Sequence, residues 1–159
     1  MQAQIAWSLC VRRPCRKTVF WGVHCAERSA FELSQMPPAQ VAPGLFLGDR
    51  KDAKDRATLR RLNIQSIVNC TPPKSEDPAA GCPSFFEREL RYLRVPIYDS
   101  PAEDAAEHFD AVLNFIASRL HYGGVLVHCN RGVSRSATFV VAHLMKTRAL
   151  DPAAALELV

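Results

Sequence analysis

The run Gly123-Gly124-Val125-Leu126-Val127 constrains the fold of this chain more than any other stretch. Three consecutive aliphatic residues, entered from a glycine pair and left through a polar passage, read as a strand buried on both faces. Such strands lie inside parallel sheets covered by helices. A helix-patterned segment, 137–146, follows nine residues later. Elsewhere Leu45 to Leu47 predicts a short apolar strand closed by Gly48, Asp52 to Leu62 a helix, and Ile64 to Asn69 a buried strand. Tyr92, Leu93, Val95 and Ile97 mark a further strand, which Pro96 either ends or places at an edge. Phe109, Val112, Leu113, Ile116 and Leu120 form one apolar helical stripe behind Asp104-Ala105-Ala106-Glu107, which has the form of a capping box. Strands alternating with helices predict an α/β fold with a mainly parallel sheet flanked by helices.

The 159 residues, 48% hydrophobic, suffice for one core of ordinary size. Met36-Pro37-Pro38 and Pro43-Gly44 read as a linker into a domain start, giving an unassigned N-terminal extension, 1–40, and a domain, 41–159. Lys and Arg number 20 against 16 acids, and Arg12, Arg13, Arg16 and Lys17, in an acid-free start, account for the whole excess of +4. The balanced remainder argues against nucleic acid as a partner, because phosphate backbones are bound by massed cations. The best apolar run, 139–145, is broken by His143 and is far short of the roughly 18 residues of a membrane helix. Ile5 to Val11 begins without a basic n-region and lacks a small-residue cleavage site, so the expected location is intracellular, cytoplasmic or nuclear. The Arg-bearing start also fits a mitochondrial presequence, against which stand Pro14 and the scarcity of serine. Six irregularly spaced cysteines read as reduced thiols rather than a disulfide framework. Cys10, Cys15, His24 and Cys25 are poorly spaced for zinc, and no metal site is expected.

Ligands of such folds gather where strands end and helices begin, which directs attention to His128-Cys129-Asn130-Arg131-Gly132-Val133-Ser134-Arg135-Ser136. A cysteine at this junction lies near the positive end of a helix dipole and near a guanidinium, and both favour thiolate. Cys129 is the candidate nucleophile. Residues Asn130 to Ser134 can turn their backbone N–H groups inward around a tetrahedral oxyanion, with Gly132 adopting a dihedral that side chains resist. Arg135 offers a planar fork for two phosphate oxygens, which Lys does not. The Ser136 hydroxyl lies near the sulfur and would stabilise it as a leaving group. His128 is either a buried tuner of this loop or simply a satisfied core histidine. The side chains of Asn130 and Arg131 are expected to point away from phosphate. Arg131 would then attract acidic substrates at the rim or merely be solvated.

These residues resemble the H-C-x5-R-S signature of the cysteine-based protein phosphatases, with a strand before and a helix after in the right order. The late position of the loop is unlike the low-molecular-weight phosphatases and arsenate reductases, and the chain is short for the large tyrosine-specific enzymes. It is similar instead to the compact, atypical dual-specificity phosphatases. Gly44-Leu45-Phe46-Leu47-Gly48 resembles their first strand, and 62–69 their second helix-to-strand passage. The resemblance covers 41–159 and implies their phosphatase fold. Relatives continue beyond the helix opened by Asp151-Pro152, so the catalytic domain is expected to be incomplete at its C-terminus and less stable than a full one.

The resemblance implies hydrolysis of phosphotyrosine and phosphoserine or phosphothreonine monoesters through a phosphocysteine, with no cofactor. The implied partners are phosphorylated proteins, with kinases as a further class that the Arg12–Lys17 cluster would dock unless it is merely solvated. It also implies an acid on a loop ahead of the signature. Asp99 occupies that position, with Glu103, Asp104 and Asp110 as competitors, of which Asp104 has a capping role and Asp110 lies within a helix. Cys70, ending a strand parallel to that before Cys129, is implied as a reversible disulfide partner, the alternative being a plain buried cysteine. Two rival functions remain: a lipid or RNA-end phosphate as substrate, or a non-catalytic phosphate-binding docking module. The loop lacks the paired lysines that suit inositol head groups.

Overall fold

A computed structural model of the chain describes residues 37–100 and 103–159. The basic cluster Arg12–Lys17 and the set Cys10, Cys15, His24 and Cys25 lie outside the described residues. Ala39–Ala42 (β1) and Leu45–Gly48 (β2) form an antiparallel hairpin over Pro43-Gly44. Proline presets the first turn dihedral, and Gly44 takes a φ of +74°, which a side chain would strain. Then come Arg50–Lys54 (α1), Arg56–Arg61 (α2), Ile64–Asn69 (β3) and Arg91–Arg94 (β4). A 3-10 turn, Ala105–His108, leads into Phe109–Arg119 (α3), followed by Gly124–His128 (β5), Arg135–Arg148 (α4) and Pro152–Glu157 (α5).

The sheet has the order β1-β2-β5-β3-β4, and β2, β5, β3 and β4 run parallel. The expected α/β architecture holds, with β5 at its centre. Val125 and Val127 of β5 join Leu45, Val68, Val112, Ile116, Phe139 and Leu144 in one core. Leu126, between them, joins Phe46, Ala53, Leu59, Ile64 and Ile67 in a second core on the opposite face. Burial on both faces explains why this strand has no polar alternation. In the larger core Phe109 meets Phe139 edge to face, with centroids 5.5 Å apart.

Four local expectations are corrected. β1 is an added antiparallel edge strand; Ala-Gln-Val-Ala is too short and too exposed to show a strand pattern. The single helix expected over 52–62 is two helices, because the Asp55 carboxylate accepts from Ala57 and Thr58 N–H and restarts the helix. The first of them begins before Asp52, since Asp49 and Asp52 form a reciprocal capping box. The strand expected to reach Ile97 stops at Arg94, before Pro96, which has no N–H to donate; β4 does lie at the sheet edge. Asp104 caps the 3-10 turn by accepting from Ala106 N at 2.9 Å. Asp151 accepts from Ala154 N at 2.9 Å to open α5, whose Leu156, together with Val159, packs against the larger core.

Candidate active site

The parallel register sets the C-terminal ends of three strands level: Gly48 of β2 and Asn69 of β3 both pair with His128 of β5. The chain leaves β5 at Cys129 and re-enters regular structure at Arg135, so residues 129–134 form a tight loop at the N-terminus of α4. Ser134, the first flanking residue of α4, makes no side-chain cap, and the amides of the first turn are not covered by a side chain of their own cap. Gly132 takes a φ of +71°, and a Cβ there would lie 2.8 Å from the Gly48 carbonyl oxygen. The loop is therefore pressed against the end of β2, and glycine is required both by conformation and by space.

Cys129 is buried at the floor of this loop, 2% exposed. Gly132 N–H donates to its Sγ at 3.2 Å and the Ser136 hydroxyl at 3.3 Å. Burial opposes ionisation of the thiol, but hydrogen bonds from the Ser136 side chain and from the backbone of Ser136 and Arg131, with the positive charge of Arg135, outweigh it and hold the pKa below the ordinary 9.0. Arg135 is itself 2% exposed. One guanidinium nitrogen contacts the Ile97 carbonyl at 3.4 Å, another lies 3.7 Å from Asp99 Oδ2, and Nε has no partner among the described residues.

Asp99 stands on the loop after β4 with its side chain half exposed. Of the four acids weighed from the sequence it is the one that reaches Arg135; Asp104 is spent as a cap and Asp110 lies in the first turn of α3. Among the described residues, no group of His, Cys, Asp and Glu is arranged to hold a metal ion.

His128 is fully buried, with Nδ1 3.2 Å from the Cys129 carbonyl oxygen. Burial, reinforced by the charges of Arg94 and Arg135, pushes its pKa down from 6.5 to about 4, so it is neutral at physiological pH. Asn130 turns its side chain away from the cup and donates to the Ala80 carbonyl at 2.6 Å. Arg131 and Val133 are exposed on the rim. Cys70 lies one residue past Asn69, the partner of His128, and its N–H donates to the His128 carbonyl at 2.8 Å. Its thiol is pushed well above 9.0, by burial first and then by Cys129. Sequence reasoning missed Arg94, Asn69 and Thr71, which tie down the 71–84 loop beside the cup. An arginine inside the apolar run Tyr92 to Val95 was the signal available.

A lowered-pKa cysteine in a loop between a central parallel strand and a helix, backed by a buried arginine, defines a cysteine-based phosphatase type of site. The family model of the dual specificity phosphatase catalytic domain matches residues 45–159. Human dual specificity protein phosphatase 26 is 45% identical over 109 residues, 67% of this chain and 50% of that protein. Human dual specificity protein phosphatase 1 is 34% identical over 124 residues, 77% of this chain and 32% of that protein. The crystal structure of human DUSP28 superposes with a TM-score of 0.66 at 32% identity, covering 75% of this chain and 78% of that one. The chain belongs to the dual specificity phosphatase family. It spans about half the length, or less, of these two sequence relatives.

Proposed function

We propose that this chain hydrolyses phosphate monoesters on protein tyrosine, serine and threonine side chains through a phosphocysteine intermediate. The observation that carries the reading is the Cys129 sulfur, which accepts hydrogen bonds from Gly132 and Ser136 and has a lowered pKa despite its burial. The thiolate attacks phosphorus from the cup floor. Inward amides of residues 130–134 and the Arg135 fork take up the charge on the phosphoryl oxygens, strengthening their hold as phosphorus flattens. Asp99, as general acid, gives a proton to the departing alcohol or phenol oxygen. The same carboxylate then takes a proton from water, which attacks the phosphocysteine, and the Ser136 hydroxyl stabilises the sulfur as it leaves. His128, neutral and buried, holds the Cys129 backbone rather than transferring a proton. Arg131 lies on the rim, where it favours acidic or multiply phosphorylated substrates. Every step is supplied by side chains and amides of this chain.

The test is turnover of a small aryl phosphate and of phosphopeptides by wild type, Cys129→Ser and Asp99→Asn, with chelator present. A loss on the order of 10³-fold or more in the first variant and of about 10²-fold in the second is expected. An inactive wild type that still binds phosphopeptide would establish the docking-module reading. Preference for an inositol head group or an RNA end over phosphopeptide would establish a non-protein substrate.

Cys70 extends this reading to redox control. Peroxide takes two electrons from the Cys129 thiolate to give a sulfenic acid; the Cys70 sulfur attacks it, water leaves, and a Cys70–Cys129 disulfide forms. Both thiols are free in the reduced protein. Non-reducing peptide mapping after peroxide is expected to find the cross-linked pair, and Cys129 found only as sulfinic or sulfonic acid would dismiss it.

A further inference from the structure

The loop between β3 and β4 contains no part of the phosphatase signature, yet it is heavily hydrogen-bonded. Arg94, the last residue of β4, drives its guanidinium into it. Nη1 donates to the carbonyl oxygens of Thr71 at 3.1 Å, Pro72 at 3.2 Å and Cys82 at 2.9 Å, and Nη2 donates to Ser84 Oγ at 2.9 Å. The same two loop ends are joined again from β3. Asn69 Nδ2 donates to the Cys82 carbonyl at 3.0 Å, Thr71 Oγ1 to Asn69 Oδ1 at 2.7 Å, and Cys82 N–H to Thr71 Oγ1 at 3.1 Å.

Between these ends the chain folds on itself. Asp77 Oδ1 accepts from Ala79 and Ala80 N–H, and Gly81 N–H donates to the Asp77 carbonyl at 2.8 Å. A Cβ on Gly81 would come within 2.7 Å of three backbone atoms, so the crossing is tight. The Ala80 carbonyl is thereby fixed in space, and it receives the Asn130 side chain at 2.6 Å. Asn130 is the first residue of the cup after Cys129. Its own carbonyl faces the Arg50 N–H, 3.5 Å away at the start of α1, so it is held from two sides.

We propose that Arg94 is a positioning residue of the oxyanion cup, acting through the 71–84 loop and the Asn130–Ala80 strut. The inference rests on the reading of residues 129–135 as that cup. A guanidinium bonded to four oxygens on both arms of a loop converts a flexible connection into a rigid abutment, and the strut passes that rigidity to the backbone beside the nucleophile. Cup amides aimed at a tetrahedral oxyanion lose much of their effect when displaced by as little as about 1 Å. Arg94 bonds to the 71–84 loop and not to Cys129.

The test measures tungstate affinity of the full chain by calorimetry, which reads the cup independently of turnover. Arg94→Met and Asn130→Leu are each expected to weaken binding about tenfold while the protein stays folded by circular dichroism. The double variant is expected to bind no more weakly than the worse single one, because both substitutions cut one path. Arg94→Lys, which keeps the charge and some donors, is expected to recover part of the loss. Unchanged tungstate affinity in Asn130→Leu, or losses that multiply in the double variant, would overturn the proposal. Should Arg94→Met fail to fold, Asn130→Leu and Arg94→Lys still decide it. A wild type that binds no tungstate would refute the cup itself, a result distinct from wild-type affinity in the variants.

Discussion

The loops leaving β3 and β5 start from matching places in the sheet and end with opposite chemistry. Cys70 and Cys129 each follow a residue of the same cross-strand pair, Asn69 and His128, and they are 0% and 2% exposed. Burial drives both thiols toward the neutral form. For Cys70 it prevails and the pKa lies well above 9.0; for Cys129 hydrogen bonds from Ser136 and from loop amides, with Arg135, reverse it. The difference is therefore made after the strand ends. β5 runs into a short turn and the N-terminus of a 14-residue helix, whose backbone turns donors onto the sulfur from Arg131, Gly132 and Ser136. β3 runs into a loop whose polar groups are consumed by Arg94, Asn69 and one another. Burial keeps a cysteine protonated unless the chain beyond it supplies donors.

The comparison breaks most sharply at the sulfur itself. Cys129→Ser is expected to lower aryl phosphate turnover by on the order of 10³-fold or more, whereas Cys70→Ser leaves it within about twofold under reducing conditions. Steady-state kinetics on the two variants checks this.

The next largest effect is on stability. His128 is neutral in the fold because its pKa has fallen from 6.5 to about 4, chiefly through burial. Its contribution is whole above pH 6.5. Below that the unfolded chain takes up a proton that the folded chain refuses, and about 3 kcal/mol is lost by pH 4. Urea unfolding from pH 7.5 to 4.5 is expected to show this slope in wild type and a shallower one in His128→Asn.

Gly132→Ala places a methyl group 2.8 Å from the Gly48 carbonyl oxygen on backbone of positive φ. A cost of about 2 kcal/mol is expected, seen as a lower melting temperature together with weaker oxyanion inhibition. Ser136→Ala has the smallest effect. It removes one donor from the sulfur, raises the Cys129 pKa toward that of Cys70, and lowers kcat/KM at pH 6 by about tenfold with little change at alkaline pH.

Much of this was legible in the sequence. The all-apolar run of β5, the helical stripe of α3 and the nine residues from His128 to Ser136 each carry a pattern tied to their physical role, and they fixed the architecture and the family. Boundaries set by single side chains were less visible. The break at Asp55 depends on one carboxylate choosing the amides of Ala57 and Thr58, and β1 depends on a partner strand rather than on its own alternation. The abutment beside the cup was hidden for a different reason. Arg94, Ala80 and Asn130 are far apart in the chain, and a carbonyl such as that of Ala80 is present in every residue. The 71–84 connection, with four prolines, gave no local sign of how firmly it is held.

The central claim is that the pKa of Cys129 is lowered where that of an equally buried neighbour is raised. Alkylation of the folded, reduced protein by iodoacetamide between pH 5 and 10, with peptide mapping of both cysteines, tests it most directly. The account predicts a Cys129 midpoint below the ordinary thiol value of 9.0, with Cys70 unmodified until the protein unfolds. A Cys129 midpoint at or above 9.0, or Cys70 reacting alongside it, would contradict the account.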